Sequence, residues 1–194
     1  SDIDPDKWKY NQIEFVPASM GRETNFAKSQ FDMVVCLEGL KHFSDVSTAI
    51  KEFRRMIQPG GFFICTIPND LAMQVRLRYF FDGFVDTDWA FPMNIKSEEE
   101  RTFLHMNSII GFPLLYYFLE KHGFKFQKTI PDRLRFWSVC LAVLFYPIIW
   151  WRVSRSCPKG HPLRKELTSM PWLAGRKCIV IAKAPVDFEA KNYT

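Results

Sequence analysis

The segment "FDMVVCLEGLKHFSDVSTAIKEFRRMIQPGGFFICTIPND", Phe31 to Asp70, constrains the fold more than any other part of the chain. Residues 31–37 form a short, almost continuously apolar run, the pattern of a strand buried on both faces. Val46, Ala49, Ile50, Phe53, Met56 and Ile57 then recur at helical spacing, and Ser44 or Asp45 can cap the start. Pro59-Gly60-Gly61 stops the helix and turns the chain. "FFICTI", 62–67, is another buried strand, ended by Pro68-Asn69-Asp70. Strand, helix, strand with short connections is a βαβ unit, which calls for a parallel pair and a right-handed crossover. In open sheets of this kind ligands bind outside the carboxyl ends of the strands. The first of these ends opens onto Glu38, Lys41 and His42, so an apolar strand delivers a carboxylate and an imidazole to that edge.

The flanking sequence extends the same architecture. "IEFVPASM" (13–20) is a short strand closed by Pro17, and "LAMQVRLRYFF" (71–81) is an amphipathic helix. Residues 82–104 are irregular and acidic, part of a lid or insertion placed at 71–112. "PLLYYFLEKHGF" (113–124) has Pro113 in the first turn of a helix and Gly123 just past its end. "FKFQKTI" (124–130) alternates as a strand, and "RKCIVIAKAP" (176–185) is a final strand. A 47% hydrophobic content excludes a disordered chain, and 194 residues suit a single α/β domain, 1–194. Five widely spaced cysteines without a C-x-x-C pair suit reduced thiols in a cytoplasmic protein. Cys157 and His161 in "CPKGH" make half a metal site with no second half, so no metal is expected. The N-terminus, "SDIDPDKWKY", lacks the apolar segment of a signal peptide.

The 31–70 segment resembles the class I S-adenosylmethionine-dependent methyltransferases. Their pattern there is a strand beginning Phe-Asp, an end rich in Glu and His, a helix, then Leu-Lys-Pro-Gly-Gly and another strand. Ile57-Gln58 stands where that family has Leu-Lys. "LEKHGF" is similar to its later helix-to-strand junction, and "RKCIVIAKAP" to its antiparallel last strand. The resemblance implies a Rossmann-like α/β sandwich, a mostly parallel sheet with an antiparallel last strand. None of the nine glycines forms the family's G-x-G-x-G loop, and "SDIDPD" is similar to the residues just after the family's second strand. The expectation is therefore an N-terminally truncated domain without its first strand and Gly-rich loop.

The same resemblance assigns site residues. Asp2, or alternatively Asp4, matches the acidic position that holds the ribose hydroxyls of S-adenosylmethionine. Ser19 and Met20 stand at the adenine loop, where Ser19 replaces the usual Asp; the competing reading is an ordinary strand-end turn. Cys36, Leu37 and Glu38 close a strand whose carbonyls would face the sulfonium and its amino group. Glu38 would hold that amino group or orient a substrate, unless it is a surface carboxylate. His42 is the candidate general base, against a structural role bonding a neighbouring loop. Asn69 and His105 are candidates for the substrate side. Methyl transfer from a sulfonium needs an in-line nucleophile, placement and sometimes a base, so no catalytic triad is expected.

Charge singles out one further segment. Residues 121–165 hold ten Lys or Arg against the single acid Asp132, and they surround the uncharged run "FWSVCLAVLFYPIIWW", 136–151. As a straight helix this run would be about 24 Å long, short of the ~30 Å hydrocarbon core of a bilayer. Segment 133–155 is expected to contact a membrane surface, with Trp137, Trp150 and Trp151 at headgroup depth. A buried hairpin, a dimer face and a true span are the competing readings. Nucleic acid is not expected as a partner, since the basic block is apolar at its centre. The expected function is methyl transfer to a small or lipid-linked acceptor by a cytoplasmic protein peripheral to the membrane. The rivals are a catalytically inactive methyltransferase-like subunit or membrane-associated interaction protein, and a different Rossmann-like binder such as a nucleotide-sugar enzyme.

Overall fold

The computed structural model of the chain describes residues 24–83 and 110–186. Four strands form one sheet: β1 (Phe31–Leu37), β2 (Ile57–Pro68), β3 (Lys125–Pro131) and β4 (Lys177–Lys183). Their order across the sheet is β1-β2-β4-β3. β1 and β2 run parallel, and β4 runs antiparallel to both β2 and β3. This is the arrangement expected of a parallel sheet with an antiparallel last strand.

Helix α1 (Val46–Met56) supplies the crossover between the parallel pair. Asp45 is its cap, accepting the Thr48 N–H at 3.0 Å, which resolves the Ser44–Asp45 choice. Its apolar stripe, Ala49, Ile50, Phe53 and Met56, is buried on the inward side chains of β2 and β4, Phe63, Cys65, Ile67, Val180 and Ala182. Helix α3 (Phe112–Lys121) adds Phe112, Leu115 and Leu119 to the same core. Alternation along β2 explains the selection: Phe63, Cys65 and Ile67 point one way, while Phe62 on the other face is 39% exposed.

Two local expectations are corrected. The apolar run predicts β1 buried on both faces, but Met33, Val35 and Leu37 are 50%, 50% and 66% exposed while Cys36 is buried. A continuous apolar run does not say how many faces are covered, and no described element covers the second one. Pro59-Gly60-Gly61 does not separate helix from strand. The helix ends at Met56, β2 begins at once, and the three residues lie inside it. The register moves from Phe31↔Ile57 to Met33↔Phe62, so the extra residues form a bulge, with Gly60 at φ +87°. At Gly61 a Cβ would meet the Asp32 carbonyl oxygen at 2.4 Å, which is why the second glycine is needed.

The apolar run 136–151 becomes part of one unbroken helix, α4 (Phe136–Ser156), with Pro147 inside it; the hairpin reading does not hold. It packs with α2 (Met73–Asp82) and with α6 (Met170–Ala174), sharing a small core of Met73, Ala142, Ile149 and Leu173. Between α4 and α6 lies α5 (Pro162–Leu167), capped by His161, whose Nδ1 accepts the Leu163 N–H.

Glu52 on α1 is buried and fully engaged. Its carboxylate accepts two bonds from the Arg55 guanidinium, at 2.7 and 2.8 Å, and two from Thr24, at 2.6 and 2.8 Å. Arg55 chiefly, with Thr24, holds its pKa down at about 2. A depressed carboxyl contributes stability above its unfolded value and loses it as pH falls through the folded one. Between about pH 4.5 and 2 the wild type should therefore lose on the order of 1–3 kcal/mol through this group. Glu52→Gln should be flatter over that interval in urea denaturation; identical pH dependence in the two proteins would remove Glu52 from the account.

Candidate functional site

Because β1 and β2 are parallel, their carboxyl ends lie side by side, with Leu37 opposite Thr66. β4 enters the sheet at the same edge, Lys177 opposite Pro68. Glu38 stands on this edge, directly after β1. Its N–H donates to Thr66 Oγ1 at 2.8 Å, and its backbone is left-handed at φ +58°. A non-glycine residue in that region costs about 1–2 kcal/mol, so the tight exit from β1 is held against local preference. One carboxylate oxygen, Oε2, meets Lys177 Nζ at 3.1 Å and Lys41 Nζ at 3.5 Å. The other, Oε1, is buried and has no hydrogen-bond partner among the described residues. Glu38 is thus anchored through one oxygen and presents the other, an acceptor suited to an ammonium or hydroxyl donor.

Next to it, Cys36 is buried on the inner face of β1, opposite Cys65 of β2. Burial pushes its thiol up to about 11, so it remains a neutral packing group. Leu37 is exposed, leaving the strand end accessible. His42 closes the short 3-10 turn Leu40–His42, its N–H donating to the Gly39 carbonyl, and its ring lies on the exposed side.

Asn69 follows β2, but its amide is spent on the chain's own backbone. Nδ2 donates toward the carbonyls of Pro171, Trp172 and Gly175, and Oδ1 accepts the Leu71 N–H. It fixes the loop at the end of β2 against α6. The structure instead brings forward Asp70. Its Oδ1 is buried without a partner among the described residues, and Gly111 lies so close that a Cβ there would come within 2.6 Å of Oδ2. Burial raises the Asp70 carboxyl above the usual range, partly opposed by Arg76. Such a carboxylate accepts a proton more readily than an exposed one. The sequence signal was available: Asp70 follows the carboxyl end of a buried strand, as Glu38 does. Asp2, Asp4, Ser19, Met20 and His105 lie outside the described residues.

Comparison with known proteins agrees with this fold. Residues 3–65 match the model of a methyltransferase domain. A demethylmenaquinone methyltransferase of Bacillus velezensis is 39% identical over 72 residues, 37% of this chain and 30% of the relative. Its counterpart in Bacillus pumilus is 38% identical over 56 residues, 29% of this chain and 24% of the relative. The chain therefore spans less than a third of the length of these curated relatives. A solved Bacillus halodurans protein described as a methyltransferase superposes with a TM-score of 0.52 at 15% identity, covering 90% of this chain and 78% of that one. The matched residues and the shared fold liken this chain to methyltransferase domains. That likeness implies S-adenosylmethionine as the cofactor.

Among the described residues, the Oε1 of Glu38 at the end of a parallel strand is left without a partner, which suits a donor group such as an ammonium.

Proposed function

We propose that this protein transfers the methyl group of S-adenosylmethionine to a small or lipid-linked acceptor presented at a membrane surface. The observation that carries the reading is Glu38: a strained strand-end residue with one oxygen held by two lysines and the other without a partner among the described residues. The cofactor supplies an electrophilic methyl carbon on a sulfonium. In the proposed site, Glu38 Oε1 would accept from the cofactor's amino group and fix its position. Asp70, at the neighbouring strand end, would take the proton released by the acceptor. His42 is the alternative base, on the more open side of the edge. The similarity to demethylmenaquinone methyltransferases favours a lipid-linked quinone as acceptor.

Calorimetric titration with S-adenosylhomocysteine tests the reading. A form extended upstream through the expected Gly-rich loop should bind, and Glu38→Gln in that form should bind at least about tenfold more weakly, the loss of one charge-assisted hydrogen bond. No binding by the folded extended form would favour a methyltransferase-like subunit that acts without the cofactor. Equal affinity in both would remove Glu38 from the site.

A further inference from the structure

We propose that the outer face of α4 is a docking surface for the interface of an anionic bilayer, with the helix lying in the plane of the membrane. One stripe of α4, Ser138, Ala142 and Ile149, is buried against the domain. On the opposite side Phe136, Cys140, Leu144, Pro147 and Trp151 recur every three or four residues, and all are exposed. Trp137, Ile148 and Trp150 widen this face, and each is more than half exposed. Only 17% of the helix's most apolar window is buried, so this is not the core helix of the domain. Monomeric surfaces rarely leave so long an apolar face bare without a partner.

Charge selects the partner. Arg133 and Arg135 precede the face, and Arg152, Arg155 and Lys159 follow it. The Arg155 guanidinium lies over the Trp151 ring at 4.5 Å, pairing a cation with an indole as at a membrane–water boundary. A second copy of the chain would set arginine against arginine at both ends of the contact, whereas anionic headgroups complement them.

Topology excludes a span. The start of α4 and the chain that follows α6 meet at one place: Leu134 bridges Gly175, and the Arg135 N–H donates to the Ala174 carbonyl at 2.8 Å. If α4 crossed a bilayer, residues 157–175 would have to cross back, carrying Lys159, Arg164, Lys165 and Glu166 in two short helices. An in-plane helix places every one of these charges on the aqueous side. Packed beside α4, α2 carries Phe80 and Phe81, each 80% exposed.

This surface would serve the lipid-linked acceptor proposed above, but it rests on separate observations and its test needs no cofactor. Failure of docking would thus leave the methyl-transfer reading standing, and failure of cofactor binding would leave docking standing. The test is flotation and tryptophan emission with vesicles of phosphatidylcholine, with and without phosphatidylglycerol. Wild type should bind the anionic vesicles preferentially, with a blue-shifted emission and weaker binding at high salt. Leu144→Glu and Trp151→Glu replace exposed residues and should keep the wild-type circular dichroism. Each should lower partitioning at least about tenfold, the effect of losing one large buried apolar side chain. The double variant Arg152→Glu/Arg155→Glu should lose the preference for anionic lipid. The proposal is overturned if folded wild type binds neither vesicle, or if it resists alkaline extraction as a spanning protein would. A dimer dissolved by Leu144→Glu without vesicle binding would overturn it equally, by giving the face to a second copy.

Discussion

Asn69→Asp should be among the most damaging single-atom-scale changes in this protein, costing roughly 3–5 kcal/mol at neutral pH. The wild-type amide points its nitrogen at three carbonyl oxygens, those of Pro171, Trp172 and Gly175, at 3.1, 3.1 and 2.8 Å. A carboxylate would place an acceptor where three acceptors converge, in a buried position. The new carboxyl should respond with a raised pKa, since protonation restores one donor. With the folded value raised, stability is present below the unfolded value and falls as pH rises through the folded one. The deficit relative to wild type should therefore shrink on acidification. Urea denaturation at pH 5 and pH 8 measures both effects, and matching midpoints in the two proteins would show that the amide does not hold the loop.

Trp172→Ala is expected to cost about 3–5 kcal/mol as well, from lost burial plus the cavity left behind. For a chain of this size that corresponds to a fall of roughly 6–20 °C in Tm. Trp172 is fully buried and stacks on Phe112, with ring centroids 4.1 Å apart. Its indole N–H is shared between Thr129 Oγ1 and Glu166 Oε2, each at 3.2 Å. One side chain thus joins α6, α3, β3 and α5. Trp172→Phe should recover much of the loss, because it keeps an aromatic ring against Phe112 while giving up the shared hydrogen bond and the volume of the second ring. If alanine and wild type melted together in calorimetry, the packing account would be wrong.

These two residues show what the sequence could convey and what it could not. The βαβ unit is legible because burial periodicity and capping are local: α1 spans the residues that its apolar spacing marks out, and Asp45 caps it. The antiparallel final strand is legible through the family resemblance. Glu38 is legible as a position, since the end of a parallel strand is where such sheets bind ligands, though its left-handed backbone and two lysine partners are not. Asn69 reads as a site residue for the same reason. Its true partners lie about a hundred residues further on, in a short helix with no strong periodic signal. Asp70 reads as turn punctuation, because Gly111, which crowds its carboxylate, is brought there only by the tertiary fold. The bulge at Pro59-Gly60-Gly61 is hidden by the general rule that such a triplet ends an element rather than bending one.

The strand order β1-β2-β4-β3 carries a consequence for how the chain is made. β4 comes after the other described strands in sequence yet lies between two of them, pairing with β2 on one side and β3 on the other. During synthesis β1, α1 and β2 can assemble early, whereas β3 has no neighbour to pair with until Lys177–Lys183 emerges. For that interval the nascent chain carries an open edge on β2, an unpaired β3 and the apolar length of α4, the combination most prone to wrong association. Ribosome-bound chains stalled before β4 should therefore engage chaperones, and those extended beyond Lys183 should release them.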